Sequence, residues 1–255
     1  MLVGDGSYAA VVLVQRCQRL KRPVKLVSRL RLDAVLHDLP GPQLPSKRGP
    51  KPKKGARQPS LAERLTDPDT VWQTLTLPWY GGKQKSIEFS TDISLWYRRG
   101  KDPVPLRWVL LRCPDESFKP GALFCSDPKV TASQIILSFI TRWNIEVTFE
   151  EVRAFLGFET QRQWSDRAIE RTTPGLFGLF SLVVLMAQAL HPKTLPARRA
   201  AWYPKAEPTF SDALAAVRRD LLRGMNYRTS PRHPDMLLIP RSGLLSLLHT
   251  ACYST

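Results

Sequence analysis

The hydrophobic period of the chain changes near residue 130, and this change constrains the fold more than any single motif. Before it, residues 70–127 contain short β-branched and aromatic runs separated by Gly, Pro and Asp, which is typical of antiparallel strands. After it, "TASQIILSFITRWNIEVTFEEVRAFLG" has helical periodicity, opens on a Thr or Ser N-cap and closes on Gly157. We therefore expect a small antiparallel sheet, one long helix over 131–157, and further helices such as "FSDALAAVRRDLLRG" and "SGLLSLLHTACY".

The first 32 residues predict a strand, a helix and a second strand. "MLVGD" is an apolar run that ends in an acid, "SYAAVVLVQRCQRL" has helical periodicity, and "PVKLVSRLRL" alternates. This order is that of half an α/β domain. A strand at residue 1 has no earlier segment to supply its sheet neighbours, so we expect a chain whose front part is missing.

The charge of the chain indicates a polyanionic partner. Thirty-eight Lys and Arg residues oppose 22 Asp and Glu residues, which gives a formal net charge of +16. Nucleic acid is the first candidate, and an anionic membrane surface is the second. Residues 6–32 carry seven cations and no acid, which is more than solubility requires and indicates contact with the DNA backbone.

The segment Pro40–Pro59 is rich in Pro and Gly and holds six basic residues without an acid. Such a composition cannot bury a core and predicts an exposed, extended segment. It is either a solvated linker or a second contact with DNA phosphates. Its basic residues are Lys47, Arg48, Lys51, Lys53, Lys54 and Arg57.

Cysteine spacing and apolar runs indicate the class and location of the protein. The four cysteines lie far apart and show no CxxC spacing, so neither a zinc site nor a disulfide framework is indicated, and a cytoplasmic location fits best. The N-terminus lacks the basic region of a secretory signal. The uncharged stretch Thr172–Leu190 is at the lower edge of membrane-span length, and its polar and Gly residues favour a buried core helix.

Charged residues form a stripe along the long predicted helix. At about 100° per residue, five side chains fall within an arc of roughly 80°; they are Phe139, Arg142, Glu146, Glu150 and Arg153. Apolar residues stand on both sides of this arc, so we expect the stripe to lie between packed flanks. Ion pairing along a helix, worth a few tenths of a kcal/mol per pair, is the simpler explanation. A functional site is the alternative.

The same residues carry a resemblance to a known family. Phe139-x2-Arg142-x3-Glu146-x6-Arg153 resembles the Y-(2)-R-(3)-E-(6)-K signature of bacterial insertion-sequence transposases of the DDE type, with Phe for Tyr and Arg for Lys. "RWNIEVTFEEVRAFLGFETQRQWSDRAIERTTPGLFGLFSLV" is similar to the C-terminal part of such a transposase. "VGDGSYAAVVLVQRCQRL" is similar to the segment around its second catalytic aspartate.

The resemblance implies an α/β fold with a partial RNase H-like catalytic core, an inserted β-rich subdomain and a helical C-terminus. Residues 1–32 would be the strand-helix-strand part of the core, and residues 33–130 the basic linker and the insertion. Residues 131–195 would contain the core helices with the catalytic Glu, and residues 196–255 a helical C-terminal region.

The implied reaction is metal-dependent cleavage and strand transfer of double-stranded DNA at transposon ends, by a chain that acts as a homodimer in the bacterial cytoplasm. Two Mg²⁺ or Mn²⁺ ions would activate the attacking oxygen and stabilise the leaving one, and such ions require carboxylate ligands. Asp5 and Glu146 would be catalytic metal ligands. Arg142 and Arg153 would hold phosphates, and Phe139 replaces a tyrosine that would contact a phosphate.

Family members have a further aspartate on an earlier strand, whereas only four residues precede Asp5. We therefore expect a transposase fragment with little or no activity by itself. The alternative is a DNA-binding remnant without catalysis that occupies transposon ends. Trp79, in "PWYGG", is a candidate to stack on a flipped DNA base, and packing in the sheet core is the alternative role for it.

Overall fold

The computed structural model describes residues 1–41, 52–80, 83–160, 162–200, 203–205, 207–223, 228–229, 231–233, 235–245 and 247. The chain divides into two compact units, Met1–Ile145 and Glu146–Thr255. The fold is mixed α/β, as the sequence predicts.

The first unit is built on a mixed sheet of seven strands. Their order is β1-β2-β7-β6-β5-β3, and β4 pairs with β5 as well. β1 is parallel to β2, and the other pairs are antiparallel. The strands are β1 (Leu2–Val3), β2 (Leu26–Leu30), β3 (Leu36–His37), β4 (Gln73–Pro78), β5 (Gln84–Trp96), β6 (Val104–Arg112) and β7 (Gly121–Cys125).

Both faces of this sheet are apolar and buried, which β6 shows most clearly. Alternate side chains of a strand point to opposite faces, so Leu106 and Trp108 join one core while Val109 and Leu111 join the other. Residues of helices α1 (Val11–Arg19) and α2 (Leu61–Thr66) belong to the first core. Residues of helix α3 (Ala132–Thr141) belong to the second.

The predicted strand-helix-strand opening is confirmed as β1, α1 and β2. The predicted antiparallel strands of residues 70–127 are confirmed as β4 to β7. These strands are continuous with the opening segment, because β2 pairs with β7 from Val27 opposite Cys125 to Leu30 opposite Ala122. A single sheet therefore spans both segments.

The long helix that the sequence predicts over 131–157 is interrupted. It begins as expected with a capping box between Thr131 and Gln134, but α3 ends at Thr141 and a second helix, α4, runs over Asn144–Leu156. The N–H groups of Trp143 and Ile145 bond three residues back instead of four, at 3.0 Å each.

Two polar residues stand at the interruption. The hydroxyl of Thr141, the last residue of α3, donates a hydrogen bond to the carbonyl of Leu137 at 2.8 Å. Asn144, which favours helix caps over helix interiors, begins α4. The prediction of one helix face from Phe139 to Arg153 is therefore wrong, and that face exists only within α4, for Glu146, Glu150 and Arg153.

The expected packing of the apolar flanks is confirmed for Ile140 and Leu156, which are half-buried and pack against hydrophobic cores. It is wrong for the other flanking side chains, which are exposed, and Val152 is the buried residue of α4. The exposed flanking residues are Trp143, Ile145, Val147 and Phe149.

The second unit consists mainly of α4, α5 (Asp166–Leu190) and α6 (Phe210–Arg223). Its core joins Val183 and Ala187 of α5 to Phe210, Leu214 and Val217 of α6. Two short antiparallel strand pairs complete it: β8 (Arg199–Ala200) with β9 (Tyr203–Pro204), and β10 (Arg228–Thr229) with β11 (Leu237–Leu238).

Helix α5 is predicted from sequence as a buried core helix, which is wrong for most of its residues, because only Val183 and Ala187 of this helix are buried. In its most apolar 18-residue window, 11% of the residues are buried and the mean hydropathy is 1.7, so α5 is long and apolar enough to cross a membrane. A single helix of this kind is weak evidence for a membrane protein.

Candidate nucleic-acid interface

The first unit contains a cleft of about 780 Å³ at the end of β1. One carboxylate, two guanidinium groups and three aromatic rings meet in it. It is lined by Asp5, Gly6, Ser7, Arg29, Tyr80, Phe139, Arg142 and Trp143. Three of the predicted site residues, Asp5, Phe139 and Arg142, are therefore brought together.

Asp5 is held at the end of β1 by contacts of both its backbone and its side chain. The hydroxyl of the buried Ser28 donates a hydrogen bond to its carbonyl oxygen. Its Oδ1 atom accepts a hydrogen bond from the N–H of Ser7 at 2.9 Å and thereby caps a short 3₁₀ turn, Gly6–Tyr8. The carboxylate is exposed and has a fixed position beside the cleft.

Two arginines bring positive charge to the cleft. Arg29 is the exposed side chain of β2, between the buried Ser28 and Leu30. Arg142 follows α3, and its guanidinium carbon lies 5.6 Å from the centre of the Phe139 ring, within the range of a cation–π contact. Because two guanidinium groups accompany one carboxylate, the cleft carries net positive charge and suits an anion such as a phosphate.

A row of aromatic rings extends from the cleft into the core. Trp143 lies edge to face with Tyr80 at 5.5 Å, Tyr80 with Trp79 at 5.2 Å, and Trp79 stacks on Phe118 at 5.3 Å. Trp79 is half-buried and packs against the sheet core. The exposed rings are instead Tyr80 and Trp143, and these line the cleft.

Part of the basic segment Pro40–Pro59 lies outside the described residues. The predicted DNA contacts Lys47, Arg48 and Lys51 are in that part. Its later part is not a free linker, because it pairs with β3. The N–H of Asp38 bonds to the carbonyl of Ala56 at 2.9 Å, and His37 forms a bridge with Arg57. The alternative of a free, solvated linker is therefore wrong for residues 55–58.

Lys53 and Lys54 line a second, smaller cleft of about 420 Å³ together with Tyr97, Lys101 and Asp102. Lys53 pairs with Asp102 at 2.6 Å, and this hydrogen bond holds the pKa of the Asp102 carboxyl below its usual range. The ammonium of Lys54 lies 3.7 Å from the centre of the Tyr97 ring and 3.3 Å from Nε2 of the buried His37. The described part of the segment thus forms a folded basic surface.

The other predicted site residues belong to the second unit. Glu146 is exposed in the first turn of α4, where a negative charge favours the helix dipole. Arg153, predicted to hold a phosphate, makes two hydrogen bonds to Glu159, at 2.6 and 2.9 Å. This pair raises the pKa of Arg153 and lowers that of Glu159.

Sequence reasoning did not single out three residues of the first cleft. Arg29 is expected only as part of the basic stretch of residues 6–32, and Tyr80 and Trp143 are given no role. The signal for Arg29 is that it is the one cation within the five residues of strand β2. Nothing in the sequence brings Tyr80 next to Trp143, because the contact joins a strand end to a helix end far along the chain.

The described residues do not form the ligand set that a divalent metal ion needs. Across the described parts of the chain, no group of three or more His, Cys, Asp or Glu side chains is placed to hold one. In the first cleft Asp5 is the single carboxylate among the lining residues, and one carboxylate beside two arginines does not fit Mg²⁺. No protein-family model and no curated protein matches the chain.

Proposed function

We propose that the chain is a DNA-binding transposase of the DDE type and that the cleft beside Asp5 binds the sugar-phosphate backbone and a base of DNA. The observation that carries this proposal is the convergence of Arg29, Arg142, Tyr80 and Trp143 in one cleft of the first unit. The net charge of +16 supports a polyanionic partner. The RNase H-like assignment of the sheet belongs to the same proposal.

Each side chain of the cleft has a distinct part in this binding. The planar guanidinium groups of Arg29 and Arg142 would each donate two parallel hydrogen bonds to a phosphate. The exposed rings of Tyr80 and Trp143 would stack on an unpaired base, an interaction worth about 1–3 kcal/mol per base. Lys53 and Lys54 would extend the backbone contact across the same unit without reading sequence.

The chemical step is proposed on the resemblance alone. In the family that the chain resembles, DNA cleavage and strand transfer need divalent metal ions. Asp5 and Glu146 would be two of the ligands in this chain. The cleft itself does not supply enough carboxylates to bind Mg²⁺. Its geometry therefore does not support a reaction step that uses a metal ion. Asp5 would contribute a carboxylate next to the bound phosphate, and the arginines would offset the charge that develops there.

A second candidate, a DNA-binding protein without cleavage activity, is favoured by the charge of the cleft. The cleft holds two cations and one carboxylate, so it can bind a phosphate directly. A cluster of carboxylates, by contrast, would need a metal ion to neutralise it before a phosphate could bind. Such a protein would occupy transposon ends. Binding is common to both candidates, and cleavage separates them.

Binding is tested by fluorescence anisotropy of labelled DNA, duplex and duplex with an unpaired end, over a series of salt concentrations. Arg29→Gln and Arg142→Gln should each weaken binding about tenfold and lower the salt slope by about one. The matched control is Arg31→Gln, which removes the same charge from a residue that pairs with Asp33 at 2.6 Å. Equal effects of all three variants, or an affinity that does not depend on salt, would overturn the proposal.

Cleavage is tested with end-labelled DNA and Mg²⁺ or Mn²⁺. Asp5→Asn removes a negative charge from the cleft, so it should strengthen binding under either candidate. Under the first candidate the wild-type chain retains weak strand cleavage, and both Asp5→Asn and Glu146→Gln abolish it. Tight binding without cleavage by the wild-type chain would select the second candidate.

A further inference from the structure

The amino group of Lys54, at the second cleft, contacts the imidazole of His37 directly. Nζ of Lys54 lies 3.3 Å from Nε2 of His37, and Nδ1 of the same ring lies 3.2 Å from the carbonyl oxygen of Gly55. A carbonyl oxygen can only accept a hydrogen bond, so Nδ1 carries the ring hydrogen and Nε2 has the lone pair. The imidazole therefore presents a proton acceptor to the amino group of Lys54.

The segment that carries Lys54 is fixed on β3. The N–H of Gly55 donates a hydrogen bond to the carbonyl of Asp38 at 2.9 Å. A Cβ atom at residue 55 would lie 2.8 Å from the carbonyl oxygen of Leu39, so a larger residue would push the segment away from the strand. His37 itself is buried, and its ring meets the ring of Tyr97 edge to face at 5.6 Å. The proton acceptor is thus held in one position.

Lys54 and the neighbouring Lys53 have different surroundings. Lys54 is half-buried, and its Nζ atom lies 3.7 Å from the centre of the Tyr97 ring. Lys53 pairs with Asp102 at 2.6 Å, and this hydrogen bond raises the pKa of Lys53. Lys53 is therefore held as an ammonium ion, whereas Lys54 has a base within reach of its proton. An amine with a base beside it is the arrangement that activates a lysine as a nucleophile.

We propose that Lys54 forms a Schiff base with the aldehyde of an abasic site in DNA and cleaves the strand on the 3′ side of that site. This inference rests on the DNA binding proposed above. It assigns a second activity to the chain, in a different cleft and without a metal ion.

The charge of the cleft indicates what carries the aldehyde. Three lysines line it, Lys53, Lys54 and Lys101, and Asp102 is the single carboxylate among the lining residues, so the cleft suits a phosphate ester. A nucleotide that has lost its base is partly an open-chain aldehyde at C1′, with phosphates on C3′ and C5′. The volume of about 420 Å³ is in the range of small-ligand sites and accommodates such a sugar with its phosphates.

The first stage of the reaction forms an imine. Nε2 of His37 takes a proton from the ammonium group of Lys54, and the free amine adds to C1′ of the aldehyde. A proton then passes from the nitrogen to the new alkoxide. The imidazolium of His37 returns its proton to this hydroxyl group, which leaves as water, and a protonated imine remains.

The second stage breaks the strand by β-elimination. The positive imine nitrogen withdraws electrons, so the neutral imidazole of His37 can remove a proton from C2′. The electron pair of that C–H bond forms a C2′=C3′ double bond. The C3′–O bond breaks, and its electron pair leaves with the 5′-phosphate of the downstream strand. Water then hydrolyses the imine and releases Lys54, so the reaction needs neither a metal ion nor an oxidant.

Reduction with sodium cyanoborohydride tests the imine. The full chain is incubated in EDTA with a labelled duplex that contains one abasic site, and the reductant converts the imine into a stable covalent adduct. Peptide mass spectrometry of the wild-type adduct should place the sugar on Lys54. Lys54→Arg keeps the charge but lacks the nucleophile and should reduce adduct formation about tenfold or more, whereas the matched control Lys53→Arg should stay within about twofold of wild type.

The role of His37 is tested with His37→Asn, whose amide can still donate to the carbonyl of Gly55 while the acceptor at Nε2 is lost. Adduct formation should slow about tenfold, and affinity for an intact duplex, measured by anisotropy, should remain that of wild type. An equal loss of affinity and of adduct formation would overturn the assignment of His37 as the base.

Strand cleavage without the reductant separates this activity from metal-dependent cleavage. Cleavage in EDTA should occur at the abasic site and be absent from an intact duplex of the same sequence. A wild-type chain that binds the abasic duplex but forms no adduct, an adduct spread over many lysines, or undiminished adduct formation by Lys54→Arg would overturn the inference and leave DNA binding intact. A chain that neither binds DNA nor forms an adduct would overturn both this inference and the proposed function.

Discussion

The hydroxyl of Ser28, fully buried in β2, donates a hydrogen bond to the backbone carbonyl of Asp5 and fixes the point where β1 ends. Gly4 donates its N–H to the carbonyl of Val27 at 2.9 Å one residue earlier. A side chain at Gly4 would collide with the ring of Tyr8 at 2.7 Å. The position of the Asp5 carboxylate therefore depends on three neighbouring residues that carry no charge.

We expect Ser28→Ala to lower the free energy of unfolding by about 1 kcal/mol, because a partly buried hydrogen bond to the carbonyl of Asp5 is lost. DNA affinity should change little, because Ser28 does not line the cleft. Urea unfolding followed by circular dichroism measures the first effect, and anisotropy the second. Ser7→Ala, at an exposed position, serves as the control, and an equal loss of stability in both variants would contradict this account of Ser28.

Trp79 is expected to contribute to stability more than to DNA binding. It is half-buried, stacks on Phe118 and packs against the sheet core, so Trp79→Ala should cost about 2 kcal/mol. Trp164, which is fully exposed, provides the control, and Trp164→Ala should leave stability unchanged within about 0.5 kcal/mol. If Trp79→Ala instead left stability intact and reduced DNA affinity tenfold, the stacking role first expected for Trp79 would be correct.

The sheet could be predicted from sequence because each of its signals is local. Alternation in β5 and β6, turn residues between them and the capping box of Thr131 depend on neighbours in the chain. The interruption at Arg142 and Trp143 could not be predicted, because the helical periodicity of the sequence continues across it. Part of the cleft could be predicted: Phe139 and Arg142 belong to the sequence signature, and Asp5 lies in a segment similar to that around a catalytic aspartate. The contact of Tyr80 with Trp143 depends on tertiary structure.

Asp212 stabilises the second unit in a pH-dependent way. Burial alone would raise the pKa of its carboxyl, but hydrogen bonds from Lys205 and from the N–H groups of Thr209 and Arg198 outweigh burial and hold the pKa below its usual range. A carboxyl with a lowered pKa in the folded state stabilises the fold above its unfolded pKa near 3.9, and that stability is lost as the pH falls through the folded pKa.

Asp212→Asn should therefore lower the free energy of unfolding by about 2–3 kcal/mol at pH 7, since it leaves the ammonium of Lys205 without its buried partner 2.5 Å away. The deficit should shrink below about pH 3. Thermal unfolding between pH 2.5 and 7 measures both effects. Asp220→Asn, at an exposed position of the same helix, should have no such effect, and a deficit independent of pH would rule out the ion pair as its cause.

Glu151 has the opposite influence on the second unit. Burial raises the pKa of its carboxyl, the charge of Glu150 raises it further, and its Oε2 atom is buried with no hydrogen-bond partner among the described residues. The folded state then keeps its proton to higher pH than the unfolded state, so stability falls as the pH rises from about 4.3 toward the folded pKa. Glu151→Gln should raise the free energy of unfolding at pH 7 by about 1 kcal/mol and leave it unchanged at pH 3. Glu170→Gln on α5 is the exposed control, and an equal gain from both would contradict the burial argument.

Arg153 offers a test of whether α4 takes part in DNA binding. Two hydrogen bonds from its guanidinium group are taken up by Glu159, and both side chains are about half exposed. Glu159→Gln weakens this pair and leaves Arg153 able to bond a phosphate instead, so affinity for DNA should rise about three- to tenfold, and Arg153→Gln in the same background should remove the gain. Glu170→Gln changes the net charge by the same amount at an exposed position of α5, and its smaller effect measures the contribution of overall charge. Anisotropy titrations of the four chains, wild type included, decide the matter: if Glu159→Gln and Glu170→Gln strengthen binding equally, Arg153 does not contact DNA.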